Sequence, residues 1–196
     1  MSTATLQTER LKLVPHSPQN ILALVAGAEA YEQSFGLPPA AGLGEFVAGA
    51  EVAPEWLLKL RSASTTDPWT HGFAMVPKAG GEVIGLAGFK GPPGSDAMVE
   101  IAYGVAPAYQ GKGYATEAAQ LLVVFAFDSG WVRTVRAHTL PERNASGRVL
   151  SKCGFTWLDE VEDPLDGRIW RWEFRLNPPA PAPDPVSQPE RSAGNV

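Results

Sequence analysis

Cysteine is almost absent from this sequence. One thiol, Cys153, in 196 residues excludes an internal disulfide and any zinc cluster built on several cysteines. Histidine is scarce too: His16, His71 and His138 lie far apart, and their spacing makes no metal site. Positive charge is in the minority, with 16 Lys and Arg against 21 Asp and Glu and a net charge of -5. No basic block stands out, so nothing points to nucleic acid. No apolar run reaches about 18 residues, so no membrane span is predicted. The opening "MSTATLQTER" lacks the apolar centre of a secretion signal. These absences leave a cytoplasmic enzyme or binding protein as the expectation. The mildly acidic balance suits a cationic or amine partner.

What is present is a normal core composition, 44% hydrophobic. The last stretch, "NPPAPAPDPVSQPERSAGNV", is rich in proline and alanine and carries little that could repay ordering. The expected organisation is one domain over residues 1–176 and a flexible tail over 177–196. "LQTERLKLVPHS" reads as a first strand. Ser17 and Pro18 mark a helix start, N-cap and first position. Residues 28–53 give no clear pattern. "APEWLLKLRSA" reads as a short amphipathic helix. "WTHGFAMVP" and "EVIGLAGFKG" read as strands joined at Gly80-Gly81, and "DAMVEIAYGV" as the next. Tyr114 to Ser129 is the clearest helix, expected to be buried on most sides. A strand "RTVRAHTL", a helix from Ala145 to Lys152 closed by Gly154, and a hairpin turning at Asp166-Gly167 follow. The order β, α, α, β, β, β, α, β, α, β, β predicts an α+β domain on one mixed sheet.

One turn has no structural need for its composition. "AYQGKGYATEA", Ala108 to Ala118, puts Gly111 and Gly113 between a strand and an apolar helix. Bare N–H groups at a helix start suit an anion, because the first turn leaves donors unpaired at the positive end of the helix dipole. The mononucleotide-binding pattern fails, since Ala106 stands where its first glycine belongs and Gly113 follows Lys112. The dinucleotide pattern fails at Thr116. In the preceding strand, Met98, Glu100, Ala102 and Gly104 share one face and leave room beside a carboxylate. Val99, Ile101, Tyr103 and Val105 share the other, core-like face.

Together, "EIAYGVAPAYQGKGYATEA" and the downstream "NASGRVLSKCGF" resemble the two signature segments of the GNAT superfamily of N-acetyltransferases. The opening "TERLKL" is similar to the branch named for ribosomal-protein N-terminal acetyltransferases. The likeness covers roughly Thr8 to Leu176. It implies a mixed, mostly antiparallel sheet of about seven strands, with helices on both faces and a splay between strands 4 and 5. It also implies acetyl-coenzyme A as co-substrate, with no metal, and an amine acceptor. A peptide N-terminal α-amine is the first expectation, a polyamine or aminoglycoside the alternative, and a silent acyl-coenzyme A-binding regulator the reading from another class. A free α-amine titrates near ~7.8 and lysine near ~10.4, so an enzyme without a strong base suits the former. No nucleic acid or membrane partner is expected, and a homodimer stays an open option.

The resemblance assigns residues as well. Gln110, Gly113 and Ala115 meet the signature core, and the N–H groups of Gly111, Lys112, Gly113, Tyr114 and Ala115 would cradle the pyrophosphate. Val105 would turn its N–H toward the thioester. Glu100 is the candidate base, with His138 as rival. The tyrosine that serves many members as acid falls on Leu150 and is absent. Ser146 is a candidate proton donor or cofactor contact, with helix capping as the alternative. Arg143 and Asn144 are candidate cofactor contacts. The acceptor pocket is expected from Phe35 to Pro54 and from Asp163 to Arg168.

Overall fold

A computed structural model of the chain describes residues 5–44 and 54–176. The expected tail and part of the expected acceptor segment lie outside the described residues. Eight strands follow the chain: β1 (Leu6–Gln7), β2 (Leu11–Pro15), β3 (Phe73–Pro77), β4 (Gly85–Phe89), β5 (Met98–Val105), β6 (Thr134–Thr139), β7 (Thr156–Asp163) and β8 (Gly167–Arg175). They form one sheet in the order β1-β2-β3-β4-β5-β6-β8-β7. The helices are α1 (Pro18–Ala26), α2 (Ala28–Phe35), α3 (Pro54–Ser62), α4 (Pro68–His71), α5 (Tyr114–Asp128) and α6 (Ala145–Lys152).

The count exceeds the expected seven because the first strand is folded back on itself. The Thr8 N–H donates to the Leu11 carbonyl, and the Thr8 hydroxyl accepts from the N–H groups of Arg10 and Leu11. A second departure lies at "WTHG". Asp67 caps the Trp69 N–H and Pro68 takes the first helical position, so Pro68–His71 winds into one helical turn and the strand starts at Phe73. α2 lies in the stretch without a pattern and ends at Gly36 in the left-handed region, φ 87°. The Ser17 cap is as expected, with Asn20 completing a capping box.

β3 shows how the sheet is covered. Phe73 and Met75 join Leu11, Leu13, Ile84 and Leu122 in the core beneath α5. Ala74 and Val76 join Leu24, Tyr31 and Val83 beneath α1 and α2. Alternate side chains of one strand thus enter two different cores. α5 is not buried all round. Ala118, Ala119, Leu122, Val123 and Ala126 make one buried stripe, while Val124 is 54% exposed.

Every strand pair is antiparallel except β5 and β6. That parallel pair is short: Met98, Val99 and Glu100 face Thr134, Val135 and Arg136, and then the strands part. The expected splay therefore lies between β5 and β6, the fourth and fifth strands of the sequence reading. No helix among the described residues is long and apolar enough to cross a membrane.

Candidate active site

The opening between β5 and β6 is built by hydrogen-bond parity. The Lys90 N–H donates to the Glu100 carbonyl at 2.9 Å, and the Ala106 N–H to the Ile84 carbonyl at 2.8 Å. The register between these points is unbroken, from Phe89↔Ile101 to Gly85↔Val105. Even-numbered residues of β5 therefore bond to β4, and the backbone groups of Ile101, Tyr103 and Val105 face the gap. Gln110 Nε2 donates to the Val105 carbonyl at 3.0 Å, leaving the Val105 N–H for a ligand. Side chains follow the expected faces. Val99, Ile101 and Val105 are buried, and Tyr103 is half-buried against the same core.

A cleft of about 340 Å³ continues from this gap to the start of α5. Gln110, Gly111, Gly113, Tyr114 and Ala115 line it on one side. Gly111 and Gly113 both have positive φ, 73° and 89°. A Cβ on Gly111 would project into open space, whereas one on Gly113 would meet Arg10 Nη2 at 3.2 Å. α5 starts after Gly113 with no side-chain cap, so its first-turn N–H groups remain open to an anion. The residues present fit a pyrophosphate.

The turn is tied down from behind. Arg10 Nε donates to Glu117 Oε1 at 2.9 Å, and its Nη2 to the Lys112 carbonyl at 3.1 Å. The Thr8 hydroxyl donates to the same Glu117 carboxylate. The Arg10 guanidinium lies 5.2 Å from the Tyr114 ring centre, and Lys112 Nζ lies 5.0 Å from that of Tyr109. The Lys112 side chain is thus held over a ring and does not line the cleft.

A second cavity, about 270 Å³, holds the charge. Glu100 Oε1 accepts from His138 Nδ1 at 2.9 Å and from Lys90 Nζ at 2.6 Å. A carboxylate only accepts, so His138 Nδ1 carries a proton, and in the neutral tautomer Nε2 is the nitrogen with the lone pair. Glu100 and His138 are therefore hydrogen-bonded to each other, each with a side chain only 17% exposed. Asp166, from the hairpin turn, also lines this cavity, and Ser146 lines both it and the cleft. Asn144 caps α6 by accepting from the Gly147 N–H at 2.9 Å, so capping does not consume Ser146.

A third cavity, about 300 Å³, lies among α1, α4 and β3–β5. His16 and His71 line it. His71 Nδ1 accepts from the Asp67 N–H at 3.0 Å, and burial, partly offset by Asp67, holds its pKa below the usual imidazole range. His16 is 1% exposed and lies 2.6 Å from the Tyr31 hydroxyl. Burial, with His71 nearby, pushes its pKa down to about 4. Both imidazoles are neutral at neutral pH. The same burial pushes the Tyr31 phenol up.

Of the residues singled out from sequence, Glu100, Val105, Gln110, Gly111, Gly113, Tyr114, Ala115 and Ser146 gather around the cleft and the charged cavity, which share Tyr103 and Ser146. Arg143 and Asn144 line none of them; Arg143 is exposed and Asn144 is spent on the cap. Arg148 and Lys152, one turn apart on α6, supply the cations of the cleft instead. Their spacing of four was the available signal. Leu150 is fully buried, so the missing tyrosine leaves no polar group there. Burial raises the Cys153 thiol to about 11, and its Sγ lies 3.6 Å from the Thr116 carbonyl. That is a packing thiol, not a nucleophile. The two histidines of the third cavity carried no sequence signal.

Comparison with known proteins bears on this arrangement. The family model described as acetyltransferase (GNAT) domain matches residues 10–156. YjdG of Bacillus subtilis (strain 168), described as an uncharacterized N-acetyltransferase, is 32% identical over 101 residues, 52% of this chain. The match spans only 58% of that relative's own length. Among solved structures, a GnaT-family acetyltransferase from Bordetella pertussis is 25% identical, with a TM-score of 0.58 over 87% of this chain and 98% of the other. Mycobacterium smegmatis RimJ, solved in complex with CoA-disulfide, is 20% identical and shares the fold, with a TM-score of 0.58 over 88% of this chain and 86% of its own. With three quarters of its length under one family model and the splayed sheet in place, the chain belongs to the GNAT acetyltransferase domain family.

Proposed function

We propose that the protein transfers an acetyl group from acetyl-coenzyme A to a primary amine, most favourably the α-amine of a peptide N-terminus, by direct attack in a ternary complex. One observation carries this reading: the anion-ready cleft and the Glu100–His138 cavity meet at Tyr103 and Ser146. The donor's pyrophosphate lies on the N–H groups of Gly111 to Ala115, with Arg148 and Lys152 across the cleft. Its pantetheine arm follows the free backbone of β5 in the gap.

His138 Nε2 takes a proton from the amine while the amine nitrogen attacks the thioester carbon. Glu100 holds the imidazole and stabilises the imidazolium that forms. The Val105 or Tyr103 N–H is a donor for the oxyanion. The carbon–sulfur bond then breaks and the sulfur leaves as thiolate, which Ser146 or water protonates. An α-amine suits this site because it is partly neutral at physiological pH.

The test is coenzyme A thiol release with acetyl-coenzyme A against a panel of peptides with free N-termini, polyamines and aminoglycosides. Peptides are expected to react best. Release with polyamines or aminoglycosides alone would move the acceptor class, and release with none would refute catalysis.

A further inference from the structure

The third cavity takes no part in the steps above. We infer that it receives the group attached next to the acceptor's reactive amine, and that it selects for an uncharged group there. The inference rests on the amine-acetylation reading of the site.

Position is the first argument. The cavity shares Ala102 with the charged cavity, Gly104 with the cleft, and Tyr103 with both. Donor, base and this space therefore converge on one stretch of β5. Its floor is nearly bare of side chains: Gly88 pairs with Ala102, and Gly104 follows on the same face. An amine placed at the junction has an open path for its substituent over that floor, toward Ile21 and Leu86.

Charge is the second argument. Lys90, Glu100, His138 and Asp166 all line the other cavity, and among the described residues neither a carboxylate nor a Lys or Arg lines this one. Three of its polar side chains each hold one partner already. His71 holds a backbone N–H, His16 holds the Tyr31 hydroxyl, and the Thr70 hydroxyl donates to Asp67 at 2.6 Å. A second ammonium, or a carboxylate, entering here would give up water without finding a counter-charge.

The experiment measures kcat/KM by coenzyme A release for peptides that differ only in the first residue: Ala, Leu, Phe, Lys or Asp. Butylamine and putrescine are run beside them. The uncharged first residues should exceed Lys and Asp by about tenfold or more, and butylamine should exceed putrescine likewise. Thr70→Glu, at an exposed position on the rim, should raise the Lys-to-Leu ratio several-fold, by roughly the worth of one new ion pair. Equal rates for Lys-first and Leu-first peptides, together with equal rates for the two free amines, would overturn the inference. An unchanged ratio in Thr70→Glu would overturn the placement in this cavity. If only the free amines react, the peptide reading fails while their ratio still reads the charge selection. If nothing reacts, both fall.

Discussion

Acid should weaken this protein well above the range where carboxylates titrate, and His16 is the reason. Its imidazole is buried against Tyr31, with its pKa lowered from 6.5 to about 4. The folded state resists the proton that the unfolded chain accepts. Stability is therefore fully present above pH 6.5, is lost as pH falls from 6.5 toward 4, and levels off below. The full difference corresponds to roughly 3 kcal/mol, of which about 2 kcal/mol is gone by pH 5. Two other groups act in the same direction. His71, also lowered by burial, adds to the loss in the same interval. Glu173 matters only at lower pH: burial works to raise its pKa, but hydrogen bonds from Arg136 and Arg175 outweigh it and hold the carboxyl low. Urea midpoints at pH 7.5, 6.0 and 5.0 would read the effect. His16→Gln, which keeps a polar partner for Tyr31, should flatten the slope by about 2 kcal/mol between the first and last of these, whatever its stability at pH 7.5. If the wild type and His16→Gln lose the same stability over that interval, His16 is not a buried neutral imidazole and the reasoning fails.

Further expectations concern the site. Glu100→Gln and His138→Gln should each lower kcat by roughly 10²–10⁴-fold at neutral pH, with the loss shrinking as pH rises toward the amine's own pKa. A large effect of Glu100→Gln with full activity in His138→Gln would make the carboxylate the base and sink the coupled reading. Acetyl-coenzyme A at a hundredfold over its Kd should stabilise the protein by about 2.7 kcal/mol, seen as a raised Tm that ATP and NAD do not give. Gly111→Val should abolish that shift by filling the open cradle, while costing only about 1–2 kcal/mol for its left-handed backbone; normal coenzyme A affinity in a folded variant would make the turn merely structural. Arg10→Gln should raise KM for acetyl-coenzyme A with kcat and stability kept, because Arg10 is exposed and its ion pair is screened by solvent; an unchanged KM would remove its positioning role.

The sequence announces those parts of the site made by backbone. Gly111 and Gly113 open a turn before an apolar run, as the sequence suggests, and β5 keeps its predicted facing because nothing interrupts its register with β4. Helix caps are equally legible at Ser17 and at Gly154, since each is a local bargain among neighbouring residues. What stays hidden depends on partners far along the chain. Glu100 and His138 are 38 residues apart and look like rival bases until the start of the parallel pair sets them at 2.9 Å. His16 and His71 come from α1's entry and a helical turn that reads as strand. Lys112 puts a cation in the middle of the glycine turn, yet its ammonium lies over the Tyr109 ring. Arg143 and Asn144 show the opposite case, where a helix cap stands where a contact was expected.

The brevity of the β5–β6 pairing has a mechanical consequence. Three residue pairs stitch the β1–β5 meander to the β6–β8 unit, with the Glu100–His138 hydrogen bond beside them and α5 and α6 leaning on each other across the seam. Within the second leaf, by contrast, β6 pairs with β8 through six residue pairs and β7 with β8 through seven. A pantetheine arm lying against the free edge of β5 would then act as a ninth, removable strand, completing a ladder that the polypeptide leaves open. Loading the donor would change the material of the domain from two leaves on a short hinge to one continuous plate. Catalysis and cohesion would rise together, and releasing the product thiol would loosen the frame that had just done the work.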